Sequence, residues 1–280
     1  MKISRVGILL LIAAAIISNT GCTMVNRVLA RNQLNDGAKA YKERKFDVAE
    51  QHFRRSLELN SEDTIAEKFL ARSLHQQYLA NRTQNAAKGE QAIEIYQRML
   101  ARNPNDEDSN RAVSNLIELT KGQDALVAWL NKRASDTQVD PASRAEALTS
   151  LASKQYNCAN DITEAAKQSV TKDAKMVFVF KKPENTEEFE KAKQCTAEGM
   201  RLIDQALELN QNNDSTWSYK ASLLVQQARL AEMDGNMAER DRLMAESDNA
   251  KQRFLALSEE KARKKAEEEE RKKAEEEKNK

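Results

Sequence analysis

Three stretches of this chain end alike: a helix-spaced apolar pattern closes on a short polar turn, and another such pattern opens at once. Asn35–Asp63 reads NDGAKAYKERKFDVAEQHFRRSLELNSED, with Ala49, Phe53, Ser56 and Leu57 three to four residues apart or adjacent, on one helix face. Gln91–Asp106 reads QAIEIYQRMLARNPND and brings Ala92, Tyr96, Leu100 and Pro104 into the same phase. Ala206–Asn210 (ALELN) closes a third such helix, and Trp217, Ala221 and Leu224 begin the next one at the same offsets. A pattern that returns in phase decides the fold before any local propensity does. The composition agrees: 7 Gly and 3 Pro in 280 residues leave little turn chemistry, and β-rich folds need turns. The expected fold class is all-α.

Between these closures the rhythm is looser. Ile65–Leu79 reads as the first helix of the second pair, with Ala71 at its small position, and Leu79–Gly89 as a polar, protruding loop. A third unit spans Asp108–Ala134: one helix to Thr120, a Lys121-Gly122 turn, then Asp124–Arg133. Each helix pair has two apolar faces and can cover one by itself, so neighbours have to stack.

Gly37, Tyr41, Ala49, Phe53, Ser56 and Leu57-Glu58-Leu59 together resemble the tetratricopeptide repeat, a helix–turn–helix unit of about 34 residues. Ser61 stands where that family usually has Pro, and its early Trp is absent. The resemblance implies a superhelix whose first helices line a concave binding surface. Carried onto this chain, the groove positions are Asn35, Ala38, Tyr41 and Lys42, then Lys68, Phe69, Arg72, His75 and Gln76, then Arg111, Asn115 and Glu118. Lys42, Lys68, Arg72 and Arg111 outnumber Glu118, so an acidic or carboxylate-ended peptide is the expected ligand. Tyr41 and Phe69 are the expected aromatic anchors. Leu34 and Ala38 occupy the first positions of the Lys–Asn clamp that some family members use, so a chaperone-tail ligand is not expected. The plainer reading keeps all these residues as a solvated helix face.

The N-terminus reads as an address. Lys2 and Arg5 precede a twelve-residue apolar run, Val6–Ile17, followed by Ser18-Asn19-Thr20-Gly21-Cys22, the layout of a secretory signal. The run is shorter than the roughly 20 residues a membrane-spanning helix needs. Thr20-Gly21-Cys22 resembles a bacterial lipobox, with Asn19 where a Leu-like residue is usual. The resemblance implies lipidation of Cys22, and Thr23 after it implies the outer membrane, on the periplasmic face. In that oxidising compartment Cys158 and Cys195 are expected to form a disulfide, two buried thiols being the alternative. A bridge closing that loop stabilises by roughly 4 kcal/mol on the chain-entropy account.

These signals partition the chain into a signal peptide (1–21), a lipid-anchored linker (22–33), repeats (34–135), divergent repeats (136–258) with an insertion (159–194), and a charged tail (259–280). Pro141–Asn157 reads as a helix, and the next begins near Glu187. Between them Met176–Pro183 (MVFVFKKP) is the strongly β-prone run. Its expected role is an insertion whose Val and Phe residues cover the side of the array; an edge for a partner's strand is the alternative. In the tail, nine acidic and nine basic residues set Glu four before Lys or Arg at six places, Glu260–Lys264 and Glu268–Lys272 among them. Such pairs support a solvated helix of about 33 Å, and a fraying polar tail is the alternative.

Little here points to catalysis. No phosphate loop, HExxH or GxSxG motif occurs in the mature chain, and neither His52 nor His75 sits at ligand spacing from a cysteine. The expectation is no enzyme, no cofactor and no metal. A net charge of +1 provides no field for nucleic acid. The partners expected are proteins or peptides, with no small-molecule substrate. The expected function is a non-catalytic, lipid-anchored scaffold, the alternative a tether reaching the cell wall through the tail.

Overall fold

The computed structural model describes residues 5–172 and 175–278, and the side chains of residues 24–171 and 176–277. Cys22 and the signal's side chains fall outside the described part, as do residues 1–4. The described residues form ten helices and one β-hairpin, so the chain is all-α in class. It divides into two compact units, Met1–Leu126 and Val127–Lys280.

In the first unit α1 (Arg5–Lys42), α2 (Phe46–Leu59), α3 (Thr64–Ala80), α4 (Ala86–Arg102) and α5 (Glu107–Lys121) pack each against the next. The polar turns foreseen from the closures have a common construction. Asn60 and Asn103 end α2 and α4, and three residues later Asp63 and Asp106 cap α3 and α5. Asp63 accepts from the Ile65 and Ala66 N–H groups at 3.0 Å, and Asp106 from Ser109. Each cap is worth about 1 kcal/mol. The turn after α1 instead puts Arg44 in the left-handed region, φ 60°.

The helices approach closely because small residues face large ones. Phe53 is fully buried, and a Cβ on Gly37 would lie 2.7 Å from its ring. Gly89 meets the Tyr78 ring in the same manner. Ala49, Ala66, Ala71 and Ala92 are all fully buried between bulkier neighbours.

Two expectations fail in this unit. Residues 22–33 are no linker: α1 runs through them without a break, Ala30 is 1% exposed, and its carbonyl accepts from buried Ser56 Oγ at 2.9 Å. Nothing in that stretch breaks a helix, and Ala30 is small enough to pack. The protruding loop Leu79–Gly89 is also largely absent. Only 81–85 separate α3 from α4, whose Ala86, Ala87 and Lys88 favour helix. Asn85 Nδ2 donates to the Gln77 carbonyl at 2.8 Å and ties the short connection down.

The second unit begins inside α6 (Gln123–Ser135), not at the expected 135/136 boundary. It continues with α7 (Pro141–Ala165), β1 (Lys167–Lys172), β2 (Lys175–Phe180), α8 (Thr186–Leu209), α9 (Asp214–Met233) and α10 (Met237–Lys278). Pro141 sits in the first turn of α7 behind an Asp140 cap, where a missing N–H does no harm. α7 lies against α8, both touch α9, and α9 packs on α10. Gly199 repeats the role of Gly37: a Cβ there would lie 2.7 Å from Leu223. Asn210 and Asn213 repeat the turn between α8 and α9.

Cys158 and Cys195 form a disulfide between α7 and α8, with Cα atoms 6.1 Å apart. The expected insertion, 159–194, is smaller than its bracket: both helices run past the cysteines, leaving 166–185 for the hairpin and its connections. β1 and β2 pair antiparallel, Lys167 opposite Phe180 and Val170 opposite Val177. Phe180 packs at the hairpin's base against a cluster of Phe189, Ala192, Leu230 and Met233. The boundary at 258/259 is likewise no structural break, since α10 carries straight through it without Gly or Pro.

Gly37→Ala and Gly199→Ala each place a methyl group against a rigidly held neighbour. Each is expected to destabilise by about 1–3 kcal/mol, against an intrinsic helix gain of about 1 kcal/mol, measured by urea denaturation. Replacing Cys158 and Cys195 by Ser is expected to lower stability by about 4 kcal/mol in the same assay.

Candidate functional site

The twelve expected groove positions fall on α1 (Asn35, Ala38, Tyr41, Lys42), α3 (Lys68, Phe69, Arg72, His75, Gln76) and α5 (Arg111, Asn115, Glu118). The structure draws five of them, Tyr41, Lys68, Phe69, Arg72 and Arg111, into two small constellations, and brings Asn115 to His75. Asn35 and Lys42, exposed on α1, and half-buried Gln76 stand apart from both.

The first is an aromatic ladder climbing out of the core. Phe69 stacks on buried Phe53 with centroids 5.6 Å apart, and Tyr41 meets Phe69 edge-on at 5.4 Å. Phe46 meets Tyr41 edge-on in turn at 5.3 Å, and the Arg72 guanidinium lies 5.6 Å from the Phe69 centroid. Both expected anchors are half-buried and pack on each other. What they offer a ligand is a rigid edge, with little entropy left to lose on binding.

The second is a charge cluster around a residue that sequence reasoning missed. Lys68 Nζ and Arg72 Nη2 approach the Asp108 carboxylate from α3, at 3.4 and 3.3 Å, and Arg111 from α5 at 3.1 Å. The Arg111 hydrogen bond, against opposition from burial and with help from Lys68 and Arg72, holds the Asp108 carboxyl below its ordinary range. The three cations therefore arrive already gathered, and with Glu107 4.0 Å from Arg111 two of their charges are offset. The pairing with Arg111 at i,i+3 was legible; the pairs across 40 and 36 residues were not.

His75 is held by its surroundings. It meets buried Tyr96 edge-on at 6.2 Å, and its Nε2 has no hydrogen-bond partner among the described residues. Burial disfavours the imidazolium and pushes His75 below its ordinary 6.5, against a smaller upward pull from the Asn115 side chain. His52 is tied differently, its Nδ1 2.8 Å from Gln33 Oε1.

Two further carboxylates, also missed, join the pairs. Glu50 on α2 is buried and receives Lys88 at 2.6 Å, Gln77 at 2.8 Å and Arg54 at 2.9 Å. Burial works to raise its pKa, but these donors outweigh it and the net direction is down. Glu67 on α3 pairs with Arg98 and Arg102 of α4. Their side chains bind the layers to one another instead of facing a ligand.

Among the described residues no group of three or more His, Cys, Asp or Glu is arranged to hold a metal ion. Among them also, no helix is long and apolar enough to cross a membrane. In comparisons with known proteins, no family model matches the chain and no curated protein matches it.

Because His75 binds protons less readily folded than unfolded, its contribution to stability is complete above pH 6.5. It is lost as pH falls from there through the lowered folded value. The urea midpoint is expected to drop between pH 7.5 and 5.5, and His75→Gln to flatten that dependence. The depressed carboxylates Glu50 and Asp108 titrate below this window.

Proposed function

We propose that this protein is a non-catalytic tetratricopeptide-type scaffold, anchored by lipid at Cys22 to the periplasmic face of the bacterial outer membrane. It holds an acidic segment of a partner protein on the face formed by α1, α3 and α5. The observation that carries this reading is the pairing on one face of a rigid aromatic edge, Tyr41–Phe69, with the gathered cations Lys68, Arg72 and Arg111. Asp108 and Glu107 offset two of the three positive charges, which leaves a net charge of +1 toward an acidic ligand. A ligand carboxylate beside Arg72 takes up donors that Asp108 shares. The lipobox-like Thr20-Gly21-Cys22 and the disulfide, which persists in oxidising compartments, support the placement. Envelope assembly and pilus-type biogenesis are roles that such a scaffold fits.

A second reading is favoured by α10, which is helical through Lys278. In it the charged end of that helix tethers the lipid-anchored chain to the cell wall, and the α1–α3–α5 face is a solvated surface.

Crosslinking in intact cells separates the two. Lys68→Glu with Arg72→Glu is expected to abolish a discrete crosslinked partner, whereas removing 259–280 leaves it in place. Asp108→Asn, which frees the cations, is expected to strengthen capture several-fold. Crosslinks that survive the double charge reversal and vanish with the tail would establish the tether.

A further inference from the structure

The hairpin of the second unit carries an open strand edge with a definite chemistry. Lys181 N–H donates to the Ala166 carbonyl at 3.2 Å, toward the β1 side. Phe180 N–H points the other way and donates to Glu232 Oε1 of α9 at 3.1 Å. Main-chain groups of successive residues alternate between the two edges of a strand. Met176 and Phe178 therefore direct their N–H and C=O groups to the same outer edge as Phe180. Glu232 closes that edge at its base, and among the described residues the sheet has two strands, so beyond Phe180 the edge is unpaired.

The side chains along that row are apolar and uncovered: Met176 is 76% exposed and Phe178 59%. Lys167, across the hairpin on β1, lies 4.3 Å from the Phe178 centroid. The sequence of the segment is rich in lysine, although Lys167 pairs with Glu164 at 3.4 Å and Lys182 with Asp234 at 3.1 Å. Residues 167–182 hold five lysines against Asp173 alone, net +4, while the whole chain is +1, leaving −3 for the remainder. Exposed, flat, apolar edges invite strand addition, and proteins ordinarily block them. Here the segment's excess of lysine disfavours pairing with a second copy, since like charges would meet, and favours an acidic strand instead.

We propose that the outer edge of β2 receives an extended acidic segment of a partner protein as a third strand. The main-chain groups of Met176 and Phe178 supply its hydrogen bonds, and their side chains pack alternate apolar residues of the incoming segment. The lysines select its charge. This surface lies on a different unit from the α1–α3–α5 face, and the inference does not rest on that face binding anything.

The test uses the full chain with its disulfide intact and two fluorescein-labelled peptides, Glu-Val-Glu-Val-Glu-Val-Glu and its lysine counterpart. Binding is read by anisotropy and amide hydrogen exchange by NMR. The acidic peptide is expected to bind, increasingly weakly with added salt, and to slow exchange at the Met176 and Phe178 amides; the lysine peptide is expected not to bind. Phe178→Pro removes an outward N–H and leaves the ladder to β1 untouched, a position where strands tolerate Pro. It is expected to weaken binding about tenfold, through one lost hydrogen bond and one lost aromatic contact. Unchanged protection of the Val177 and Val179 amides, which face β1, verifies that the hairpin is still formed. Lys181→Glu, which alters an exposed side chain only, is expected to weaken binding several-fold. Lys68→Glu with Arg72→Glu is expected to leave the protection of the Met176 and Phe178 amides by the acidic peptide unchanged. The proposal is overturned if the acidic peptide fails to bind, or binds Phe178→Pro as well as the parent, or binds without protecting Met176 and Phe178. It is equally overturned if those amides become protected only at high protein concentration, which is self-pairing. Protection only by phosphatidylglycerol vesicles, which is surface adsorption, overturns it as well.

Discussion

Phe53 can lose all its exposure because Gly37, on the helix before it, leaves no Cβ in the way, and the rest of the first unit is built outward from that contact. With the α1–α2 distance set, Ser56 reaches the Ala30 carbonyl, and Phe69 of the next pair stacks on the outer side of the Phe53 ring. Tyr41 then closes on Phe69. The aromatic edge proposed to meet a ligand is thus the far end of a stack rooted in a glycine. In the second unit Gly199 and Leu223 repeat the arrangement, with Gln155 of α7 also at that glycine. Small-against-large packing of this kind is sensitive to one methyl group, because interiors are close-packed.

Those contacts explain what could be read from the chain and what could not. The three closures were legible because each is local: an apolar face at helical spacing, an Asn at the end, and a capping Asp or Asn three residues on. The helices of α5 and α6 were legible for the same reason, with Gly122 at φ 86° between them. Tertiary pairs carry no such mark. Asp108 looks like one more acidic residue in a helix's first turn, and its meaning depends on Lys68 and Arg72 arriving from α3. Likewise Glu50 and Glu67 resemble solvated helix charges until α4 covers them. The misplaced boundaries have a related cause. At 22–33 and 258/259 the composition changes but neither Gly nor Pro stands there, and at 79–89 the break is confined to 81–85, so the backbone follows propensity and packing, not composition.

The near-zero net charge hides a strong segregation. The hairpin segment holds net +4 while the remaining chain is negative. Inside the second unit the polar groups are matched more closely. Thr149 and Thr216 meet through their hydroxyls at 2.7 Å, and Thr163 donates to Gln226 at the same distance. Gln226 and Arg229 both reach Asn160, and Arg229 pairs with Glu164 at 2.7 Å. Buried groups left without partners would be costly, and here α7 and α9 satisfy one another. This matched interface, with the disulfide on the α8 side of α7, gives the hairpin a firm base. Lys167 and Lys182 of the hairpin segment pair with Glu164 and Asp234, and Lys181 is exposed.

α10 shows how a segment without a core can still be ordered. Its last anchoring contacts are buried Leu257, and Ser258 and Lys261 on Asp214 of α9, at 3.4 and 3.2 Å. Beyond them the helix is held by its own ion pairs, Lys264–Glu260 and Lys272–Glu268 both at 2.6 Å, with Arg263–Glu267 at 3.7 Å. Exposed pairs of this sort contribute a few tenths of a kcal/mol each, far less than a free peptide needs to start a helix. Nucleation is the costly step, and propagation adds one hydrogen bond per residue ordered. The packed half of α10 supplies the nucleus, so Ala, Glu, Lys and Arg need only sustain what α9 has begun. The charged tail is therefore ordered by where it starts, and separating it from α9 would remove that order even though every one of its own ion pairs remained available.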